Sequence, residues 1–197
     1  MIHTLSNIEV ILLSIVNEKP SYAYEIDKII DSRELRNWVR IGVASIYQVL
    51  KRLERKKMVI SQIEKEGRMP DRKRYYVTNS GKAALVENAK LLLSSFEWYY
   101  FDLNVGLEIS DLLTNEELLA CAMKRLTIVQ ANTKVLKKKY ISGNDKSFKK
   151  KAVIKNLLLF REAEEKFLQQ FIQELTPEDN SGSNLEPNSK IRGDGHE

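Results

Sequence analysis

The chain has 197 residues, of which 43% are apolar and 30% are charged. This is enough apolar material for one large or two small domains, while eight glycines and four prolines are too few for an all-β sandwich. The single cysteine excludes an intrachain disulfide and suits a reducing cytoplasm, where we expect the protein to be. The N-terminal segment lacks the basic front of a signal peptide, and no stretch of about 18 apolar residues predicts a membrane span.

The net charge of +5 is unevenly distributed along the chain. Residues 1–84 contain 16 Lys and Arg against 10 Asp and Glu, whereas residues 85–197 contain 16 against 17. A localised basic excess is typical of proteins that bind a polyanion, because cationic side chains displace its counterions. The alternative interpretation is an ordinary solvated surface.

Three helices are predicted in the first part of the chain. The first is capped by Thr4 or Ser6 and ends before Pro20, with apolar residues spaced by three and four along one side. The second begins at Ser21, and a polar connector then extends from Asp31 to Gly42.

The third helix, from about Val43 to Lys57, has two distinct faces. Its apolar side repeats at i, i+3, i+4 and i+7, through Ile46, Val49, Leu50 and Leu53. At 100° per residue, the opposite side carries an amide, three cations and no acid, on Ala44, Gln48, Lys51, Arg52 and Arg55. This helix is therefore expected to bury one face and to present positive charge on the other.

A β-hairpin is predicted next, from Met58 to Ile63 and from Arg74 to Thr78, where β-branched and aromatic residues dominate. The intervening segment, from Glu64 to Lys73, is a long basic loop. Three helices followed by a hairpin is the element order of a winged helix-turn-helix. In that fold the third helix enters the DNA major groove and the hairpin, or wing, contacts the backbone or minor groove.

Several motifs in this region resemble those of the PadR family of bacterial transcriptional regulators. The similar segments are Tyr24-Glu25-Ile26 in the second helix, Ser45-Ile46-Tyr47 and Leu50-Lys51-Arg52-Leu53-Glu54 in the third, Gly67-Arg68 to Lys73-Arg74-Tyr75-Tyr76 in the wing, and Thr78 with Gly81 after it. Ala23, Ala44 and Gln48 depart from the family pattern, and the wing is longer by Met69, Asp71 and Arg72. The departure at Gln48 leaves base preference open, since an outward glutamine can pair with adenine.

The resemblance covers about the first 85 residues and implies a DNA-binding domain at residues 1–84. The expected DNA contacts come from the start of the second helix, the outer face of the third and the wing: Ser21, Tyr22, Ser45, Tyr47, Gln48, Lys51, Arg52, Arg55, Arg68, Arg72, Lys73 and Arg74. Arg68 is the best candidate for the minor groove. For Tyr22 the alternative is capping and core packing, and for Tyr47 it is partial burial against the wing.

Residues 85–175 are predicted to be helical. A fourth helix starts near Thr78 or Ser80 and continues past Val105, a fifth begins at the capping box from Thr114 to Glu117, and a sixth runs from near Asp145 to Pro177. Such amphipathic helices require a partner, most simply a second identical chain, and the resemblance also implies a dimerisation domain. An intramolecular helical hairpin is the alternative. Residues 176–197 contain too little apolar surface to fold and are predicted to be disordered.

Four consecutive aromatic residues, Trp98 to Phe101, provide a candidate ligand site. Some family members hold flat aromatic molecules beside aromatic groups, so Trp98, Tyr99 and Phe101 are the candidate contacts of a small aromatic effector. The alternative is that these rings serve only packing.

The remaining chemistry argues against catalysis. The sequence shows no nucleophile–base pair, phosphate-binding glycine loop or metal-ligand spacing, so we expect no enzyme activity, cofactor or metal. Cys121 is read as a packing residue.

The sequence thus predicts a mainly α, α+β protein with an N-terminal winged helix-turn-helix, a two-stranded wing and a C-terminal dimerisation domain of long helices. The expected function is that of a sequence-specific DNA-binding regulator, a dimeric repressor of an inverted-repeat operator that a small aromatic effector releases. The alternatives are an activator of the same family and a helical scaffold protein that does not bind DNA.

Overall fold

The computed structural model describes residues 5–64, 72–142 and 147–176. The chain divides into two compact units, residues 1–98 and residues 99–197. The tip of the wing and the C-terminal tail, on which two of the expectations fall, lie outside the described residues.

The three predicted helices of the N-terminal unit are present as α1 (Asn7–Glu18), α2 (Ala23–Ser32) and α3 (Val43–Arg55). Ser6 caps α1 in a capping box with Glu9, the third residue of the helix. The apolar stripes of these helices meet in one buried core, and the predicted inner face of α3 is confirmed, because its four aliphatic side chains are all buried.

The sheet has one strand more than the sequence predicts. Strands β1 (Ser21–Tyr22), β2 (Val59–Glu64) and β3 (Arg72–Val77) form an antiparallel sheet in the order β1-β3-β2. The hairpin of β2 and β3 is confirmed, but the wing is not purely two-stranded, since β1 adds to its other edge. Strand β1 has two residues, which are too few to show an alternating sequence pattern. Because these two residues belong to the sheet, α2 starts at Ala23 and not at Ser21, where the sequence predicts it.

Helix α4 (Asn79–Ser94) follows the sheet and is capped by the Thr78 side chain. The prediction that this helix continues past Val105 is wrong, because the backbone becomes extended at Ser95. Ser94 donates its hydroxyl to the carbonyl of Lys90, a local bond that competes with helix continuation. The aromatic residues that follow favour extended backbone over helix.

The C-terminal unit contains α5 (Asp102–Glu108) and two long helices, α6 (Asn115–Ile141) and α7 (Phe148–Leu175). The predicted capping box at Thr114 and Glu117 is confirmed at the start of α6. Helices α6 and α7 pack side by side after a short connection, so they form an antiparallel hairpin. Ion pairs such as that of Arg125 with Glu164, at 2.6 Å, tie the two helices together.

Few side chains of this unit are buried. In the described part of residues 99–176, they are Ala122, Val129, Thr133, Leu158 and Leu168. No helix within the described ranges is long and apolar enough to cross a membrane.

Candidate nucleic-acid interface

The outer face of α3 is the most exposed part of the candidate interface. Tyr47 is 57% exposed, and Gln48, Lys51 and Arg55 are also exposed. Within the described residues, Lys51 and Arg55 make no ion pair, so their charges face solvent unneutralised. Four polar groups spaced along one helix face can reach base edges or phosphates in a groove.

The start of α3 lies beside an exposed glycine. Gly42 occupies the position before the helix without a side-chain hydrogen bond, and the hydroxyl of Ser45 donates back to its carbonyl. Ser45 is half-buried. The first backbone N–H groups of α3 therefore have no side-chain cap, which is the arrangement that suits an anionic partner at a helix start.

Arg52, a predicted DNA contact, is held by α1. Its Nε donates to Oε1 of Glu9 at 2.9 Å, and Nζ of Lys56 donates to the same oxygen at 2.7 Å. Glu9 is 3% exposed, although it lies on a helix whose neighbouring side chains are aliphatic. One buried carboxylate thus fixes the angle between α1 and α3, while Arg52 itself remains 45% exposed at its side chain.

The pKa of Glu9 lies below its ordinary value. Burial has the largest single influence and would raise the pKa, but the hydrogen bonds from Lys56 and from Ser6, with the charges of Lys56 and Arg52, outweigh it. Glu9 is therefore a carboxylate at neutral pH. Sequence analysis missed this residue, although Ser6 and Glu9 form a recognisable S-x-x-E capping signal.

Ser21 and Tyr22 lie in β1 and are buried. The hydroxyl of Ser21, a residue only 2% exposed, donates to the carbonyl of Lys19. The phenol of Tyr22 donates to Oε2 of Glu64 at 2.6 Å. These two side chains are engaged inside the N-terminal unit, which agrees with the packing alternative for Tyr22.

Arg74 completes the network around Glu64. Its guanidinium donates to the Tyr22 hydroxyl at 2.9 Å, lies 4.4 Å from the centre of the Tyr22 ring, and pairs with Glu64. The hydrogen bond that Tyr22 donates lowers the pKa of Glu64, and the same bond raises the pKa of Tyr22. Arg74 is consequently restrained within the sheet, midway along β3.

The other wing cations differ in placement. Arg72 lies 5.7 Å from the ring centre of Tyr24, which itself stacks on Tyr22, whereas Lys73 is exposed. Arg68 lies outside the described residues. Of the twelve predicted contacts, the structure brings Tyr47, Gln48, Lys51 and Arg55 onto one exposed face.

The three aromatic residues predicted to bind an effector do not share one site. Tyr99 and Phe101 line a cavity of about 570 Å³ in the C-terminal unit, whose aromatic wall is completed by Phe160 and Phe167 of α7. Trp98 does not line it and instead packs edge-on against Phe96. Sequence analysis missed the polar side of this cavity, where Arg125 and Arg161 both bind Glu164.

We find no candidate metal site among the residues that the structure describes. These residues contain no cluster of three or more His, Cys, Asp or Glu side chains that could hold a metal ion.

Comparisons with known proteins place this geometry in a family. Residues 12–87 match the model of the transcriptional regulator PadR-like family. A Lysinibacillus sphaericus protein described as uncharacterized is 34% identical over 84 residues, which are 43% of this chain and 76% of that protein. This family is a class of regulators and not a class of enzymes.

Solved structures show the same fold over most of the chain. Bacillus subtilis PadR in complex with operator DNA has 17% identity and a TM-score of 0.71, covering 87% of this chain and 100% of that one. The PadR-like transcriptional regulator BC1756 from Bacillus cereus has 16% identity and a TM-score of 0.62, covering 89% and 99%. Because residues 12–87 match the family model, the N-terminal winged helix-turn-helix of this chain belongs to the PadR-like family of transcriptional regulators.

Proposed function

We propose that this protein is a homodimeric repressor that binds an inverted-repeat DNA operator through α3 and the wing. The observation that carries the proposal is the exposed face of α3, which presents Tyr47, Gln48, Lys51 and Arg55. Among the residues that the structure describes, neither Lys51 nor Arg55 makes an ion pair. Lys73 extends the basic surface along β3. The operator complex of Bacillus subtilis PadR, a protein of the same fold, supports this assignment.

Each cation has a distinct role in the proposed complex. Lys51 and Arg55 contact phosphates or guanine, and Gln48 reads a base by its amide. Arg52 contacts phosphate through the guanidinium nitrogens that Glu9 leaves open. Arg72, Lys73 and Arg74 are phosphate contacts of the wing, with Arg74 leaving Glu64 to reach the duplex, and Arg68 is proposed for the minor groove. Ser21 and Tyr22 are not included because both are buried.

The homodimer is supported by apolar side chains that the C-terminal unit leaves uncovered. Cys121, Ile128 and Val135 recur every seven residues on α6 and are exposed. This spacing is typical of a helix that packs against a partner helix. A two-fold dimer would place two α3 helices about 34 Å apart, one turn of duplex, and so read an inverted repeat. A regulator that binds DNA in this way would act in the cytoplasm, which is where we propose that this protein functions.

The test begins with a binding sequence selected from a random duplex pool by the full chain. Fluorescence anisotropy then compares Lys51→Ala and Arg55→Ala with Lys90→Ala, which changes an exposed lysine of α4 that pairs with Glu87 on the same helix. We expect each α3 variant to lose about tenfold or more in affinity, equivalent to about 1–3 kcal/mol, and Lys90→Ala to bind like the parent chain. Equal affinities for all variants would favour the scaffold function.

Repression is tested by transcription from a promoter that carries the selected sequence. The repressor proposal expects a fall in transcript when the protein is added, whereas a rise identifies an activator.

The cavity lined by Tyr99, Phe101 and Phe160 is the proposed site of a small aromatic effector. Its two arginines share one carboxylate, so the site carries surplus positive charge beside aromatic walls and suits a flat aromatic acid. Bacillus subtilis PadR has been crystallised with p-coumaric acid. We expect aromatic acids to raise the melting temperature of the parent chain and of Trp98→Leu but not of Phe160→Leu. No shift for the parent chain would refute the effector site.

A further inference from the structure

The C-terminal half of the chain has almost no net charge, but its basic and acidic residues lie at different ends of the α6–α7 hairpin. Described residues 131–142 and 147–160, here called the basic end, contain eight lysines and no Asp or Glu. Described residues 99–130 and 161–176, here called the acidic end, contain nine Asp and Glu against four Lys and Arg. The two ends of one hairpin therefore carry opposite net charge.

Local helix stability does not account for the lysines at the start of α7. Cations at a helix C-terminus are favourable, which explains Lys138 and Lys139 in the last turn of α6. Lys149, Lys150 and Lys151, however, occupy the first turn of α7, where no acid is present and no side chain caps the helix. The helix dipole opposes positive charge there, so helix stability gives no reason for these three lysines.

Several lysines of the basic end form no ion pair within the described residues, and an apolar side chain is exposed beside them. Lys137 pairs with Glu162 at 3.0 Å, but Lys134, Lys155 and the lysines at the start of α7 form no ion pair within the described residues. Phe148 is 85% exposed beside them. Exposed apolar side chains among unpaired cations favour an acidic protein surface over bare phosphate backbone as the partner.

We propose that the basic end of each protomer lies against the acidic end of a second copy of this chain, with the two hairpins antiparallel. This inference rests on the proposed homodimer and specifies its arrangement. A two-fold axis along the helices would place eight lysines against eight lysines, whereas an axis across them places opposite charges together. Helix α6 is about 40 Å long, several times the screening length of about 10 Å in 0.1 M salt, so the two ends interact as separate charges.

The experiment measures the dimer dissociation constant of the full chain by analytical ultracentrifugation. One variant reverses the basic end by Lys149→Glu, Lys150→Glu and Lys151→Glu. A second reverses the acidic end by Glu108→Lys, Asp111→Lys and Glu174→Lys, which are all exposed. A third combines all six changes. Acids at the start of α7 and a cation at its end suit the helix dipole, so helix fraying would not explain a weaker dimer.

We expect each triple variant to weaken the dimer at least tenfold in low salt, because every pair occurs twice in a two-fold interface. The variant with all six substitutions should dimerise as tightly as the parent chain, and added salt should reduce the differences in dissociation constant between the variants. If the six-substitution variant dimerises as weakly as the triple variants, the proposed charge pairing is wrong. A basic-end variant that dimerises normally but binds DNA weakly would overturn it in favour of a DNA contact. A parent chain that stays monomeric would refute the proposed homodimer itself.

Discussion

The carboxylate of Glu9 shows how one residue links the core of the N-terminal unit to α3, the helix that we propose contacts DNA. It accepts hydrogen bonds from the backbone N–H of Ser6, from Arg52 and from Lys56. Each bond compensates for charge buried among aliphatic side chains, and the two cations come from the last turn of α3 and from Lys56, the residue that follows it. The orientation of that helix therefore depends on a residue that is itself buried in the core.

Glu9→Gln should lower stability by about 1–2 kcal/mol at pH 7, because the amide retains the capping bond but loses the charge. The pKa of Glu9 is lower in the folded chain than its ordinary value of 4.5. Its contribution is therefore fully present above that ordinary pKa and is lost as the pH falls through the folded value. Urea unfolding at pH 7 and at successively lower pH should show that the gap between parent and variant closes in acid.

Glu25→Gln provides the matched control. Glu25 occupies the equivalent third position of α2 and accepts from the backbone N–H of Tyr22, and no ion pair involves it among the described residues. It should cost less stability than Glu9→Gln at pH 7. A gap between parent and Glu9→Gln that stays constant down to pH 3 would contradict the ionic role of Glu9.

The sequence predicts which residues are charged or apolar on each helix, but not the long-range pairs they form. The inner face of α3 follows from spacing alone, since burial has a local period. The pairing of Arg52 with Glu9 joins residues 43 positions apart, and that of Arg74 with Tyr22 joins residues 52 apart. Such pairs depend on tertiary packing, so sequence analysis assigns both arginines to DNA without seeing their intramolecular partners.

At the scale of elements, the junction between the sheet and α4 depends on one close backbone approach. The hydroxyl of Thr78 donates to the carbonyls of Lys57 and Met58, and Gly81 lies within the first turn of α4. A Cβ built on Gly81 would lie 2.2 Å from the carbonyl oxygen of Met58, which is backbone and cannot swing aside. The glycine of the family motif is thus explained by steric contact.

Gly81→Ala should destabilise the N-terminal unit by about 1–3 kcal/mol, the usual cost of overpacking. Gly106→Ala is the control, because a Cβ at that helical position of α5 meets no atom within 4 Å. The alanine should be neutral or stabilising by about 0.5–1 kcal/mol through its higher helix propensity. Thermal unfolding measures both, and equal effects would refute the steric explanation.

The end of α4 shows where periodicity misleads. Aromatic residues from Phe96 to Phe101 continue an apolar pattern that a helix could use, yet the chain there is neither helix nor strand. In the C-terminal unit, Tyr99 of this segment packs edge-on against Phe160 of α7, with ring centres 5.1 Å apart. Local sequence does not predict a contact between residues so far apart in the chain. The sequence therefore reveals the cluster of aromatic residues but not the cavity beside it.

At the scale of the whole molecule, dimerisation and operator affinity should be coupled. Each protomer of the proposed dimer supplies one α3. Once the first α3 is bound, the second is held near its half-site at an effective concentration that free monomers do not reach. The basic-end variant, with Lys149, Lys150 and Lys151 reversed, leaves α3 untouched. Its operator affinity should therefore fall only where the protein is dilute enough for the dimer to dissociate.

Titrating a fixed trace of operator DNA with parent and variant protein measures this coupling. We expect the variant curve to be displaced to higher concentration and to be steeper, because two monomers must assemble on the site, and to reach the same saturation. The control is the variant with all six charge reversals, since we expect it to restore the dimer through charge pairing alone. If that variant dimerises as tightly as the parent yet binds operator as weakly as the triple variant, the lysines act on DNA directly and the coupling through dimerisation is absent.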